Sequence, residues 1–319
     1  MWRRPFLWIM AAAIAAFIVL PLLGGIDLRE SLLLAAVYMI LALNLNLMTG
    51  YTGYVNFGSI VFFGLGGTLG LYAMTVWALP LWAAVIGAAT VVAALALVLG
   101  LGILHLRGAY FALVTIGVVE ATKAFVSNFA PFGGATGMYL NFAVYQPLGG
   151  PRHAVWIVYY AVILLLAASL LLGYVVKRSR FGLGLFAIRE DEDAAMVLGV
   201  RTPLYKALAY SISAVLPAML GVLFFFKNGV VEPDQAFDLT LSIEAIVMMM
   251  LGGQGTVFGA ALGAFAYEQL RGYLLTSATF SSFHLVVAGA LLLVIVLFAP
   301  GGLTGWLHQY WPATRRVLE

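Results

Sequence analysis

The 319-residue chain contains no cysteine. That excludes disulfides and thiolate metal sites and leaves the redox environment unmarked. Charge is almost as scarce: 9% of the residues are Asp, Glu, Lys or Arg, against 64% hydrophobic. The four histidines, His105, His153, His284 and His308, are scattered and form no H-E-x-x-H, so no metal-ligand set is legible. The phosphate-cradling G-x-x-x-x-G-K-[ST] is missing, and no lysine follows a glycine, so the chain is not expected to be its own ATPase. A G-x-S-x-G nucleophile elbow is missing too. These absences point away from an enzyme.

What the chain has in abundance is apolar sequence, with a mean hydropathy of +1.05. A helix needs about 20 apolar residues to cross a bilayer core. Runs of that kind recur from end to end, more than a soluble domain of this length can bury. They predict an all-α, polytopic integral membrane protein, one membrane domain over residues 1–319 with no separate soluble domain. The start, "MWRRPFLWIMAAAIAAFIVLPLL", has the look of a signal peptide. Its apolar run continues past any small-residue cleavage site, which predicts an uncleaved first span. The candidate spans are 6–23, 31–48, 55–76, 81–104, 109–128, 154–176, 206–226, 240–251, 256–275 and 283–299. The run 240–251 is too short to cross alone at 1.5 Å per residue. It is either a half-helix or re-entrant segment or a helix that continues into its flanking loop. The expectation is therefore about eight to ten transmembrane helices.

Basic residues collect in cytoplasmic loops. With the N-terminus inside, that side holds Arg3, Arg4, Arg107, Lys177, Arg178, Arg180, Arg189, Arg201, Lys206, Arg315 and Arg316. The outside holds only Arg29, Arg152 and Lys227, and Lys123 and Arg271 fall within spans. This bias predicts both termini in the cytoplasm. Outside the charged island described below, the acids lean the other way, with Asp27, Glu30, Glu232, Asp234 and Asp238 external.

Two glycine-rich stretches, "TGYTGYVNFGS" (49–59) and "LGGQGTVFGAALG" (251–263), sit where an inward-running chain turns outward. A remote internal repeat explains the likeness, and so does ordinary close packing of helices through small residues. Asn44, Asn46 and Asn56 flank the first stretch. Their side chains either satisfy unwound backbone or contact solute. Tyr51, Tyr54, Phe57, Phe62 and Phe63 read as packing or interface aromatics.

Charge is concentrated in one place, "AIREDEDAAMVLGVRTPLYK" (187–206), inside the longest expected cytoplasmic loop, 177–205. Within it, 190–199 reads as a short helix. Acids in the first turn suit the helix dipole, Gly199 suits the C′ position and Pro203 prevents continuation. Ala194, Ala195 and Leu198 make a small apolar face. The residues alone leave two readings open: a solvated topology-fixing helix, or a docking helix for a cytoplasmic partner.

"DAAMVLG" matches E-A-A-x-x-x-G, with Asp193 in place of the Glu, and "ISAVLP" follows, ending at Pro217. The segment resembles the coupling loop of ABC importer permeases. Together with "SRFGLGLFAIREDEDAAMVLGV", "RGAYFALVTIG", "LTLSIEAIVMMMLGGQGTVFGAALGA" and "NLNLMTGYTGYVNFGSIVFFGLGG", it resembles the branched-chain amino acid permease family, LivM type more than LivH type, from about residue 40 to 275. The loop "FGGATGMYLN" (132–141) departs from the family's Thr-Gly-Gly-x-x-Gly pattern, with Phe132 where Thr is usual.

The resemblance implies a type II ABC-importer-like permease that moves branched-chain or other hydrophobic amino acids by ATP-driven alternating access. The implied partners are a second homologous permease in a heterodimer, two cytoplasmic ATPase subunits carrying ATP and Mg, and an external solute-binding protein. It implies no cofactor on this chain, no nucleic acid, and a bacterial or archaeal plasma membrane. The residues expected to couple to the ATPase are Arg189, Glu190, Asp191, Glu192, Asp193, Ala194, Ala195, Leu198 and Gly199. Those expected at the pathway or a helix break are Asn44, Asn46, Gly50, Gly53, Asn56, Glu244, Gly252, Gly253 and Gly255. Permeases for urea and short amides share the family and are the alternative.

Ionisable groups inside spans are functional candidates. Glu120 with Lys123, and Glu268 with Arg271, stand at i, i+3 and are expected to pair within their helices. Glu244 has no basic neighbour in sequence; it either orients a broken helix or lines the pathway. An ion-coupled secondary transporter would rely on Glu120, Lys123 and Glu244. A membrane-embedded enzyme would need an essential histidine.

Overall fold

The computed structural model describes residues 4–276, with 286, 289, 290, 293 and 301–305. The expected span 283–299 lies almost entirely outside the described residues, as do His284, His308, Arg3, Arg315 and Arg316. The helices are α1 (Arg4–Leu23), α2 (Ile26–Leu45), α3 (Ser59–Val76), α4 (Leu81–Ile103), α5 (Ala109–Asn128) and α6 (Pro151–Arg178). Then come α7 (Arg180–Glu190), α8 (Glu192–Val197), α9 (Thr202–Asn228), α10 (Pro233–Ala236), α11 (Leu239–Gly252) and α12 (Val257–Thr276). Among the described residues, seven helical stretches are long and apolar enough to cross a membrane. The protein is an all-α polytopic membrane protein.

Three boundaries differ from expectation. The second span, expected to end at 48, runs on through a π-helical turn, Asn46–Gly50, to give 25 residues, and the chain leaves the helix at 53–58. The short run 240–251 is Leu239–Gly252, and with α10 it makes a 20-residue apolar stretch from Pro233. The loop 177–205 contains two helices, not one: α7 continues the chain after Ser179, and α8 starts afresh at Glu192.

The chain forms two compact units. The first comprises Met1–Tyr51, Ile163–Ser179 and Ile243–Glu319; the second comprises Thr52–Val162 and Arg180–Ser242.

In the first unit α2 packs along α12 and against α1. Apolar side chains supply most of this contact, and a few buried polar groups fix it. Asn44 donates to Ser169 Oγ at 3.1 Å, tying α2 to α6, and Tyr51 donates to the Gly173 carbonyl at 3.1 Å. Arg271 on α12 lies 3.4 Å from Glu268 and 3.4 Å from Glu244 on α11, with its guanidinium over the Tyr38 ring at 5.2 Å. The expected Glu268–Arg271 pair is present, and Glu244 joins it across helices.

In the second unit α9 is the central helix, packed on both α3 and α4. The approach to α3 is backbone on backbone. A Cβ on Gly66 would stand 2.2 Å from the Ala218 carbonyl oxygen, and one on Gly221 would stand 2.0 Å from that of Phe63. Small residues allow this closeness, which dispersion contacts reward where apolar lipid offers no hydrophobic drive. The 27 residues of α9 reach about 40 Å and separate two polar ends. One end holds Arg107 and the head of α9. The other holds a two-stranded ladder, β1 (Met138–Tyr139) antiparallel to β2 (Val230–Val231), and the ion pair Lys123–Asp234 at 2.9 Å. The charges expected inside and outside are thus sorted to opposite ends of this unit. The expected Glu120–Lys123 pair is not formed: Lys123 reaches across to α10 because Asp234 offers a carboxylate beyond the helix's own surface.

The packing predicts that Gly221→Val lowers the thermal midpoint of the purified protein in detergent, by an overpacking cost of about 1–3 kcal/mol or more. Gly87→Ala, where a Cβ meets nothing within 4 Å, leaves the midpoint unchanged or slightly raised.

Candidate functional site

Asp191 ends α7 and begins α8. Its backbone is extended, and its Oδ1 accepts from the backbone N–H of Asp193 at 2.9 Å and of Ala194 at 3.0 Å, an aspartate N-cap. The other end closes where expected: Gly199 has φ +90°, and Val200 N–H returns to the Ala195 carbonyl at 3.0 Å. A left-handed glycine with this 6→1 bond is a Schellman stop. Six residues with two good caps hold a helix too short to be stable alone.

The face that α8 buries is not the one the spacing suggested. Ala195 is buried, whereas Ala194 is exposed and Leu198 is 82% exposed. Met196 and Val197 stand beside Leu198, so an apolar ridge of three residues points outward. Ala195 serves the fold; the ridge is what a partner can touch.

Glu192 roots the helix. Its Oε1 accepts from Lys206 Nζ at 2.7 Å and Thr202 Oγ1 at 3.2 Å, and its Oε2 accepts from the Tyr54 hydroxyl. Lys206, 2% exposed, spends its other two protons on the Leu104 carbonyl at 2.6 Å and the Tyr54 oxygen at 3.1 Å. An ammonium has three donors, and all three are met. Arg107 grips the next acid with a two-pronged fork, Nη2 to Asp193 Oδ1 at 2.7 Å and Nη1 to Oδ2 at 3.0 Å, while its Nε lies 3.6 Å from Glu192. Bidentate guanidinium–carboxylate pairs are among the stronger and more directional polar contacts.

Burial raises the Glu192 pKa, but the hydrogen bonds from Lys206 and Tyr54, with the charges of Lys206 and Arg107, outweigh it and leave the carboxyl below its ordinary value. Hydrogen bonding to Arg107, then its charge, lowers Asp193, and the same bond raises Arg107.

Three separate sequence blocks therefore meet here: 49–59 through Tyr54, 107–117 through Arg107, and 187–206. Sequence reading missed Tyr54, Lys206 and Thr202 as parts of this site. A lysine at the very edge of the apolar run 206–226 was the available signal. Arg189 and Glu190 are exposed at the end of α7, and Arg189 Cγ would lie 3.2 Å from a Cβ on Gly53, whose φ is +77°.

The second set of expected residues divides between the units. In the first, Asn46 accepts from Gly255 N–H at 2.8 Å and donates to the Thr256 carbonyl at 3.1 Å, while Gln254 donates to the Thr49 carbonyl at 3.1 Å. The two glycine-rich stretches thus touch, and the Asn46 amide caps the break between α11 and α12. Gly253 (φ +123°) and Gly255 (φ +81°) make that break. Gly252 leaves room for the Gly259 carbonyl, and Gly50 for the Asn46 side chain. Asn44 is buried against α6, as above. Glu244 is 2% exposed and lies 3.4 Å from the Arg271 guanidinium. This is an interior, charge-compensated position. In the second unit Asn56 Oδ1 accepts from Gly58 N–H at 2.9 Å, forming the turn into α3. The asparagines thus satisfy backbone.

Removing Lys206 leaves the half-buried Glu192 with Arg107, 3.6 Å away and itself engaged by Asp193, as its remaining cation. Lys206→Met is expected to cost about 3–5 kcal/mol in unfolding, with Lys206→Met/Glu192→Gln recovering a large part in a double-mutant cycle. Because both carboxyls are lowered, their contribution is complete above the ordinary values, about 4.5 and 3.8, and is lost as pH falls below them through the folded-state values. Hydrogen-exchange protection of 192–200 should hold on acidification until below this range and then fall before that of α9.

The family described as "Branched-chain amino acid transport system / permease component" matches residues 28–296. The chain is 27% identical over 308 residues to the high-affinity branched-chain amino acid transport system permease protein LivM of Escherichia coli K12, covering 88% of this chain and 70% of that one. It is equally similar to LivM of Salmonella typhimurium. It is 30% identical over 139 residues to the autoinducer 2 import system permease protein LsrC of Photorhabdus luminescens, covering 42% of each. No solved structure matches. With a multi-pass membrane fold and a family match over most of its length, the chain belongs to the branched-chain amino acid transport permease family and is the permease component of an ABC-type transporter.

Proposed function

We propose that the chain is the membrane subunit of an importer that carries branched-chain amino acids into the cytoplasm by alternating access. The ATPase is on separate subunits that hold ATP and Mg. Residues 1–319 act as one membrane domain in a bacterial or archaeal inner membrane, with both termini inside. A second, homologous permease completes a heterodimer, and a solute-binding protein delivers substrate outside.

The observation that carries this reading is the construction of α8. Its outer ridge, Met196, Val197 and Leu198, is apolar and exposed at the end where basic residues gather. Its inner side is fastened by Glu192 to Lys206 and by Asp193 to Arg107. A helix gripped on one side and open on the other transmits a push. The ridge docks in a groove of the ATPase, and the ion pairs carry its displacement into α9 and the turn between α4 and α5. Arg189, Glu190 and Asp191 flank the docked helix, and Gly199 frees its far end. The similarity to LivM over 88% of this chain supports branched-chain amino acids. The asparagine-capped break at 252–256 gives the first unit a hinge for the opening motion.

Uptake of labelled leucine at low micromolar concentration, in cells lacking and then regaining this chain, tests the substrate. Rescue that excess isoleucine and valine block, and urea does not, is the expected result. Unchanged leucine uptake sinks the assignment, and uptake blocked by urea turns it toward amides. For the docking, Leu198→Asp should lower substrate-driven ATPase activity and uptake about tenfold, as loss of one interface anchor does, with no change in thermal midpoint. Ala195→Glu should instead lower the midpoint, since Ala195 is buried.

A further inference from the structure

Among the seven span-length stretches, α5 is the least buried. Phe111, Thr115, Val119 and Val126 make its buried side. The opposite side carries Tyr110, Leu113, Gly117, Glu120, Ala124 and Asn128, all exposed. The middle of this stripe is an acid between two small residues, Gly117 and Ala124. Glu120 stands about 2 Å from the midpoint of α5, a 20-residue helix long and apolar enough to cross a membrane. A carboxylate there is costly unless it meets water, a cation or protein. Its expected partner is engaged elsewhere, since Lys123 pairs with Asp234 at 2.9 Å. No described side chain forms an ion pair with Glu120. Three residues before it, Gly117 lacks a side chain where nothing stands within 4 Å of a Cβ, so packing in this chain does not demand the glycine. Gly117 and Ala124 leave open volume on both sides of one acid.

We propose that this face of α5 lines the water-filled conduit and that Glu120 is the mid-membrane contact for the ammonium group of the passing solute. The proposal rests on the amino-acid reading above. A zwitterion of an amino acid has to shed water from its ammonium group on entering a narrow path. A carboxylate halfway down replaces that hydration by a charge-assisted hydrogen bond. The small neighbours leave room for a branched side chain. One acid without a facing base holds the solute weakly enough to release it, as a conduit requires. Glu120 here is a substrate-contacting residue, distinct from the buried Glu244–Arg271 group and from the α8 cluster.

The lack of cysteine makes the test clean, because each introduced thiol is the only one in this chain. In the complete transporter, Glu120→Cys and Ala124→Cys are treated with a small, positively charged methanethiosulfonate. Val98→Cys, on an exposed apolar position of α4, is the lipid-facing control. Rapid labelling at 120 and 124, slow labelling at 98 and protection by leucine are expected. Labelling at 120 no faster than at 98 overturns the conduit. Glu120→Gln, at normal membrane levels, should lower leucine uptake about tenfold or more, the worth of one hydrogen bond to a charged group, and Glu120→Asp should retain part of it. Wild-type uptake by Glu120→Gln overturns the ammonium contact. Gly117→Leu, which meets no neighbour in this chain, should block uptake without lowering the thermal midpoint; unimpeded uptake by this variant counts against the conduit. If the thiols label rapidly but the unsubstituted transporter moves no amino acid, the conduit stands and the amino-acid reading, with the ammonium contact, falls.

Discussion

A lysine ammonium almost wholly out of water is the constraint around which the second unit is arranged. Lys206 enters the head of α9 at 2% exposure, and an unpaired charge there would cost several kcal/mol. Three acceptors converge on it from three parts of the chain: Glu192 on α8, the last turn of α4 through the Leu104 carbonyl, and Tyr54 ahead of α3. Each of those segments is thereby fixed to α9 by a contact it cannot give up cheaply. Arg107 extends the same arrangement outward, from a buried pair to an exposed fork on Asp193. The gradient matters. The inner pair sets position, and the outer pair sits where a partner can disturb it.

Farther along α9 the rule changes from charge to shape. Gly66 and Gly221 bring α3 and α9 to backbone contact. In hydrocarbon, surface contact is the main reward for association, and two helices that touch backbone to backbone slide less than two separated by long side chains. One end of the unit is therefore electrostatically pinned and the middle is sterically locked.

The first unit shares the close glycine packing at its helix break, with Gly252 against the Gly259 carbonyl, and differs in how polar groups are met there. The chain leaves α11 through glycines with positive φ, which exposes backbone groups that hydrocarbon cannot satisfy. Asn46 and Gln254 meet them with amide side chains, which present donor and acceptor together. Separating such neutral partners leaves no bare charge. Three charges of this unit, Glu244, Arg271 and Glu268, are instead grouped along α11 and α12 and compensate one another.

Local patterns were enough for much of this. Apolar runs of membrane length placed the helices within a few residues, since hydropathy over 20 residues is a property of the stretch itself. The stop at Gly199 and the start near Asp191 follow from rules that act within one turn. The spacing of Glu268 and Arg271 named a pair the structure contains. The sequence did not disclose α7, whose "RFGLGLFAI" is amphipathic and follows α6 almost without interruption. Nor did it tell which side of α8 is buried, since that depends on what packs against it and turned Ala195 inward and Leu198 outward. Lys123 had an acid at helical spacing yet chose Asp234, more than a hundred residues away, and Glu244 found Arg271 on another helix. Hydropathy and capping are decided by neighbours in the chain. The partner of a charge is decided by which oxygen lies within about 3 Å, and only the folded arrangement of helices sets that.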